Sequence, residues 1–174
     1  MKNLKKMKDQ KTLERIQLLH PKLRDEALEL YDEIVASLTG SAICRFAYTL
    51  RTFAEQDALF AQGRSKPGKV VTNAKGGQSY HNYGLAIDIV LILDKDKNGT
   101  FETAAWDVKS DFDGDGKADW MEVVQIFKRY GWEAGIDWKF IDPPHFQKTF
   151  GKSIYELRAL HTAGKVDKNG FVLI

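Results

Sequence analysis

Cysteine is nearly absent from this chain: Cys44 is the one thiol in 174 residues. No intrachain disulfide can form, and a metal centre built from several thiolates is excluded. Cys44 lies in an alternating apolar stretch, residues 42–46, where it reads as a small buried residue of a strand rather than a nucleophile. Long apolar runs are also missing. Leu18 and Leu19 are soon followed by His20, Pro21, Lys22 and Arg24, far short of the roughly 20 apolar residues that cross a bilayer. The five lysines of residues 1–11 therefore lead into no signal peptide, and no stable membrane insertion is expected. Charge of one sign is lacking too. With 26 Lys and Arg against 24 Asp and Glu, a net +2 leaves no nucleic-acid footprint. No proline- or glycine-rich linker divides the chain, and its length fits one domain, residues 1–174.

The apolar periodicity predicts an N-terminal helical segment, residues 1–40, broken at Pro21 and stopped near Gly40. Residues 41–48 alternate like a strand, and residues 52–62 read as a helix with Phe53, Ala54, Ala58, Phe60 and Ala61 on one side. Residues 84–93 are almost continuously apolar, as in a central strand buried on both faces. Helices are expected over 120–130 and 153–161, a short extended segment over 143–147, and an edge strand over 171–174. The fold class is α+β, a small antiparallel sheet flanked by helices.

The exception in the apolar strand is Asp88. An unpaired carboxylate there is costly, so it requires a cation, a strong donor or a metal. His81 precedes it in a turn, and His145 lies far downstream, shortly after Asp142. Two imidazoles and a carboxylate are a ligand set for catalytic zinc with one position open for water. Residue types alone also allow a capping Asp88 and two histidines that merely pack. His20 and His161 belong to helical stretches and read as packing or surface residues, and the four tryptophans as core or cleft wall.

A second pattern is acidic. Asp111, Asp113, Asp115, Lys117 (through its carbonyl), Asp119 and Glu122 occupy every ligand position of a 12-residue EF-hand loop, with Gly116 at the sharp turn. This makes residues 94–122 an Asp-rich insertion expected to bind Ca2+ and to order itself against the cleft. The similar loop that starts at Asp94 carries Ala105 where the bidentate acid belongs, and reads as a turn.

The string Ser79, His81, Gly84, Ala86 and Asp88, followed by Asp142 and His145, resembles the zinc D,D-peptidase family. That family includes D-Ala-D-Ala carboxypeptidases and L-alanyl-D-glutamate endopeptidases of phage lysins. Tyr48, Arg51, Gln56, Leu59, Phe60 and Gly63 resemble its upstream arginine motif, and the likeness continues through Trp138 and Gly151. The loop 72–79 looks most like the lysin and autolysin branch. The resemblance implies that His81, Asp88 and His145 bind Zn2+ and that Asp142 is the catalytic acid/base. It further implies that Arg51 steadies the substrate carbonyl, with Ser79 and Gln56 as substrate or supporting contacts. The implied activity is hydrolysis of bacterial peptidoglycan stem peptides at the L-alanyl-D-glutamate bond. The enzyme would be a monomeric endolysin, made in the cytoplasm and reaching the wall after holin-type release. A D-Ala-D-Ala carboxypeptidase and a non-catalytic calcium-binding module are the alternatives.

Overall fold

In the computed structural model, which describes residues 8–174, the strand bearing Asp88 organises the sheet. Strand β2 (Ala86–Leu93) pairs antiparallel with β1 (Ala42–Tyr48) along one edge. Its other edge pairs with β3 (Thr103–Ala105) near its end and with β5 (His145–Gln147) near its start. Strand β4 (Glu133–Ala134) closes the sheet beyond β5. Side chains alternate along β2, so Ile87, Ile89 and Leu91 turn into the core while Asp88 points to the opposite face. The register then matters: Asp88 pairs with His145 on β5 and with Tyr48 on β1, next to a β-bulge between Phe46 and Tyr48.

Helices α2 (Arg24–Ser37) and α4 (Asp119–Arg129) cover the core face with Ala27, Leu30, Tyr31 and Ile34 from one and Val123, Val124 and Phe127 from the other. Phe127 stacks on Phe146 of β5 at 4.0 Å between ring centroids, joining α4 to the strand that carries His145. Helix α1 (Gln10–Ile16) lies against β1 and is capped by Asp9, whose carboxylate also holds Arg45 at 2.7 Å. Helix α5 (Ile154–Thr162) follows β5 and starts at a Ser153–Glu156 capping box.

Most expected elements are present within a residue or two, and the unforeseen ones include the two-residue strand β4. β3 lies inside a stretch read as turns, because three residues are too few for a periodic signal. Residues 171–174 form no strand; Val166 and Val172 make only an isolated bridge. In helix α3 (Phe53–Ala61) the one fully buried residue is Gln56; Phe53 packs partly against the core, while Ala58 and Leu59 line a cleft. Trp106 is 57% exposed, neither core nor cleft wall. Cys44 is fully buried, and desolvation pushes its thiol far above the usual range, which removes it as a nucleophile. The lysine-rich residues 1–7 of the N-terminal segment lie outside the described residues. No helix among the described residues is long and apolar enough to cross a membrane.

Candidate active site

His81 sits on a 3₁₀ turn, Tyr80–Tyr83, between α3 and β2. Ser79 caps the turn by accepting from the His81 amide, and Asn82 Oδ1 accepts from the Ser79 and Gly77 amides. Gly84 ends it at φ +68°, where a Cβ would stand 2.6 Å from the His20 backbone nitrogen, so only glycine fits. The turn is laced to the upstream arginine. The Arg51 amide donates to the His81 carbonyl at 3.0 Å, and Asn82 Nδ2 donates to the Arg51 carbonyl at 2.9 Å.

Each imidazole is oriented by a group on its far side. His81 Nδ1 donates to the Thr49 carbonyl at 2.7 Å, since a carbonyl can only accept. The Nε2 lone pair of His81 is thereby aimed at Asp88, 3.1 Å from its Oδ1, in a position with no hydrogen-bond partner and no solvent. Glu133 accepts from Gln147 Nε2 at 2.8 Å, which turns Gln147 Oε1 toward His145 Nε2 at 3.1 Å. That leaves His145 Nδ1 facing the same Asp88 oxygen at 3.1 Å. Donor atoms of His81, Asp88 and His145 lie within 4.8 Å of one another. A buried, unpartnered imidazole nitrogen beside a carboxylate and a second oriented imidazole fits a divalent cation of the zinc type. Burial alone would raise the Asp88 pKa, but the adjacent His145 and His81 imidazoles outweigh it and hold the carboxyl well below the usual range. Burial would lower that of His145, and Asp88 raises it instead.

The triad lies on the wall of a cleft of about 960 Å³. Asp142 is on the rim, open to solvent on one side. Partial desolvation raises its pKa, with Asp88 adding and the two imidazoles opposing. Its main chain is placed by Gly135, whose carbonyl accepts from the Asp142 amide at 3.0 Å. A Cβ on Gly135 would meet the Asp142 carbonyl at 2.3 Å. Gly135→Ala should therefore push the 142–145 segment outward and lower kcat/KM by tenfold or more, while a melting curve shows the protein still folded. Normal kcat/KM in that variant would remove the role given to the close approach.

Arg51 reaches the same space: its guanidinium donates to Gln56 Oε1 at 2.9 Å, and one nitrogen is 3.9 Å from Asp88 Oδ2. Gln56 is buried, with its amide nitrogen spent on the Ala74 carbonyl and Thr72. It reaches the cleft only through Arg51. Ser79 does line the cleft, although its hydroxyl already serves the 3₁₀ turn. Trp138 is a cleft wall, its ring 5.2 Å from that of His145. His20 is buried against the Val172 carbonyl, and the His161 ring packs on Phe53. Sequence reasoning missed Thr49, Asn82, Gln147, Glu133 and Gly135. Only Gln147 carried a signal, since in a strand it shares a face with His145.

The acidic loop lies elsewhere. Asp111 folds the loop by accepting from the Gly114, Asp115 and Gly116 amides. Asp113 accepts from the Thr39 amide and hydroxyl, and Glu122 from the Ser37 hydroxyl, so the loop clasps the end of α2. None of its acids lines the cleft, contrary to the expectation that the insertion packs there. No helix enters the loop; β3 and a turn precede it. Two groupings of carboxylates converge, one of Asp111, Asp113 and Asp115 and one of Asp113, Asp119 and Glu122. Lys117 Nζ is 3.3 Å from Asp115 and 3.9 Å from Glu122.

An α+β domain with a His–Asp–His donor set, a rim carboxylate and an arginine around one cleft has the composition of a mononuclear zinc hydrolase. A family model described as D-alanyl-D-alanine carboxypeptidase matches residues 72–148. The chain is also 44% identical over 131 residues to the peptidoglycan L-alanyl-D-glutamate endopeptidase CwlK of Bacillus subtilis (strain 168), a match covering 74% of this chain and 72% of that protein. The chain belongs to this family of zinc-dependent peptidoglycan peptidases.

Proposed function

We propose that the protein is an endopeptidase that hydrolyses the L-alanyl-D-glutamate bond of peptidoglycan stem peptides as a monomer. The observation that carries this reading is the convergence of His81, Asp88, His145, Asp142 and Arg51 on one open cleft, in a chain so similar to a relative of that activity. His81 Nε2, Asp88 and His145 Nδ1 hold the zinc in this reading. When bound, the ion polarises the scissile carbonyl and lowers the pKa of a coordinated water to about 7. Asp142 takes the proton of the attacking water and delivers one to the departing amine. Arg51, steadied by Gln56, offsets charge on the tetrahedral oxygen with a donor fixed beforehand. The open cleft has room for a substrate that continues on both sides of the scissile bond, as a mid-chain bond requires. Mass spectrometry of digested peptidoglycan tests the bond: new N-terminal glutamate, lost with a zinc chelator and restored by zinc, is expected. Release of free D-alanine instead would move the enzyme to the carboxypeptidase side of its family.

The proposed biological role is that of an endolysin, made in the bacterial cytoplasm and released to the wall by a holin-type opening. Co-expression with a holin should lyse cells that neither protein lyses alone.

The proposal includes a second ion, Ca2+, on the 111–122 loop, as a structural and regulatory ligand. Its support is the pair of acids at the start of α4. Asp119 is fully buried with Oδ2 unpartnered, and Glu122 Oε2 is likewise buried and unpartnered. Burial and the neighbouring Asp113 push the Asp119 carboxyl up to about 6, a strain that a cation would relieve. Between these acids lies Trp120, whose indole nitrogen donates to the Pro143 carbonyl at 3.4 Å, one residue from Asp142. Calcium-dependent activity would run by that route rather than through the cleft wall. Calcium at a hundredfold excess over its Kd should stabilise the protein by about 2.7 kcal/mol. Asp119→Asn should abolish that shift in melting temperature without loss of zinc. An unchanged melting temperature of the unsubstituted protein in calcium would exclude the site.

A further inference from the structure

We propose that Arg15, on the N-terminal helix α1, binds the free carboxylate of the residue that follows the scissile bond. The inference rests on the endopeptidase reading above. Among the described residues two arginines and no lysine line the cleft, and they differ in what they are paired with. Arg51 is committed to Gln56 and sits 3.9 Å from Asp88. Arg15 donates once, to the Phe46 carbonyl at 2.5 Å, and among the described residues it has no carboxylate partner. The other acid on that part of the wall, Glu55, is spent on the Thr52 amide and hydroxyl. Arg15 is thus a cation in a substrate cleft with most of its five donors unspent.

Its placement is not loose. Thr49 Oγ1 donates to the Arg15 carbonyl at 2.9 Å, and the carbonyl of the same threonine accepts from His81 Nδ1. One residue therefore sets the distance between α1 and the metal-binding imidazole. Tyr48, 57% exposed, presents its ring between the two arginines, with guanidinium carbons 5.8 Å (Arg15) and 5.3 Å (Arg51) from its centroid. Arg15 is then one aromatic ring away from the group that faces the reacting carbonyl. The ring also holds the guanidinium plane for a bidentate partner.

The substrate supplies that partner. A glutamate joined through its amine has two carboxyl groups, and chain continuation uses only one. The other stands free, as a carboxylate or as its amide, next to the bond that is cut. A charge-assisted fork on Arg15 accepts the carboxylate and discriminates against the amide.

The test uses the zinc-loaded protein and two synthetic stem peptides that differ only in this group, carboxylate or amide. The carboxylate peptide should be preferred about ten- to a hundredfold in kcat/KM, carried mainly by KM, as expected for a hydrogen bond to a charged group. Arg15→Ala should remove that preference and leave the amide peptide within about twofold. Arg15→Lys should restore part of it, which also shows that the substituted protein folds. No preference in the unsubstituted enzyme, or equal losses on both peptides in Arg15→Ala, would overturn the role of Arg15 alone. Failure of the unsubstituted enzyme to cut either peptide would overturn the bond assignment, and this proposal with it.

Discussion

Replacing Asp142 with alanine should leave zinc bound at full stoichiometry and reduce kcat by about 10²–10⁴, the range that a positioned general acid–base contributes. The separation of the two effects follows from the geometry. Asp142 is on the rim, and the triad proposed to hold the ion is His81, Asp88 and His145, with each imidazole oriented by its own neighbour. Its main-chain bonds to Gly135 and His145 do not involve the carboxylate, so the alanine variant keeps the loop in place. The pH profile of the unsubstituted enzyme should report the same group. Asp142 accepts a proton only when ionised, and burial favours its neutral form. Activity is therefore present above its raised pKa and lost as pH falls through it, at a pH above the ordinary aspartate value. Zinc analysis with steady-state kinetics on peptidoglycan checks the first claim. Loss of zinc along with turnover would make Asp142 part of the binding site instead.

Asp88→Asn should act in the opposite order, removing the ion first. Asp88 is the only anion of the donor set, and both imidazole lone pairs point at one of its oxygens at 3.1 Å. The amide keeps the shape but loses the charge, and its NH2 can face a nitrogen that ought to bind metal. Zinc affinity, measured by competition with a chelating dye, should fall by more than the roughly 10–100-fold that loss of an outer partner costs. Gln147→Ala provides that outer comparison, since Gln147 holds His145 from its far side. If Asp88→Asn bound zinc as tightly as the unsubstituted protein, the assignment of the triad would fail.

Much of this site was legible in the chain, for reasons that differ by residue. Asp88 stood out because a carboxylate in a strand of Ile, Val and Leu contradicts its surroundings, and the physics of burial makes such a residue purposeful. The turn around His81 could be read from Ser79 and Gly84, a cap and a left-handed stop. The acidic loop stood out because its carboxylates are close in sequence. By contrast, Gln56 read as a substrate or supporting contact, and only its burial beneath Arg51 favours the supporting one, since a polar residue on a helix gives no sign of which neighbour will claim its amide.

The sequence by itself determined most of the elements, the candidate ligand types, the acid–base candidate and the α+β class, because these follow from short-range periodicity and from the chemistry of single side chains. Tertiary structure alone decided the rest. It set Asp88 opposite His145 by strand register, fixed both imidazole tautomers through Thr49 and Gln147, and carried Arg15 from the N-terminal helix to the cleft. It also turned the acidic loop away from the cleft and toward the end of α2. Each of these is a contact between residues distant in the chain. Such contacts depend on how elements pack and on which main-chain carbonyl is left to accept, and no local pattern of side chains records either.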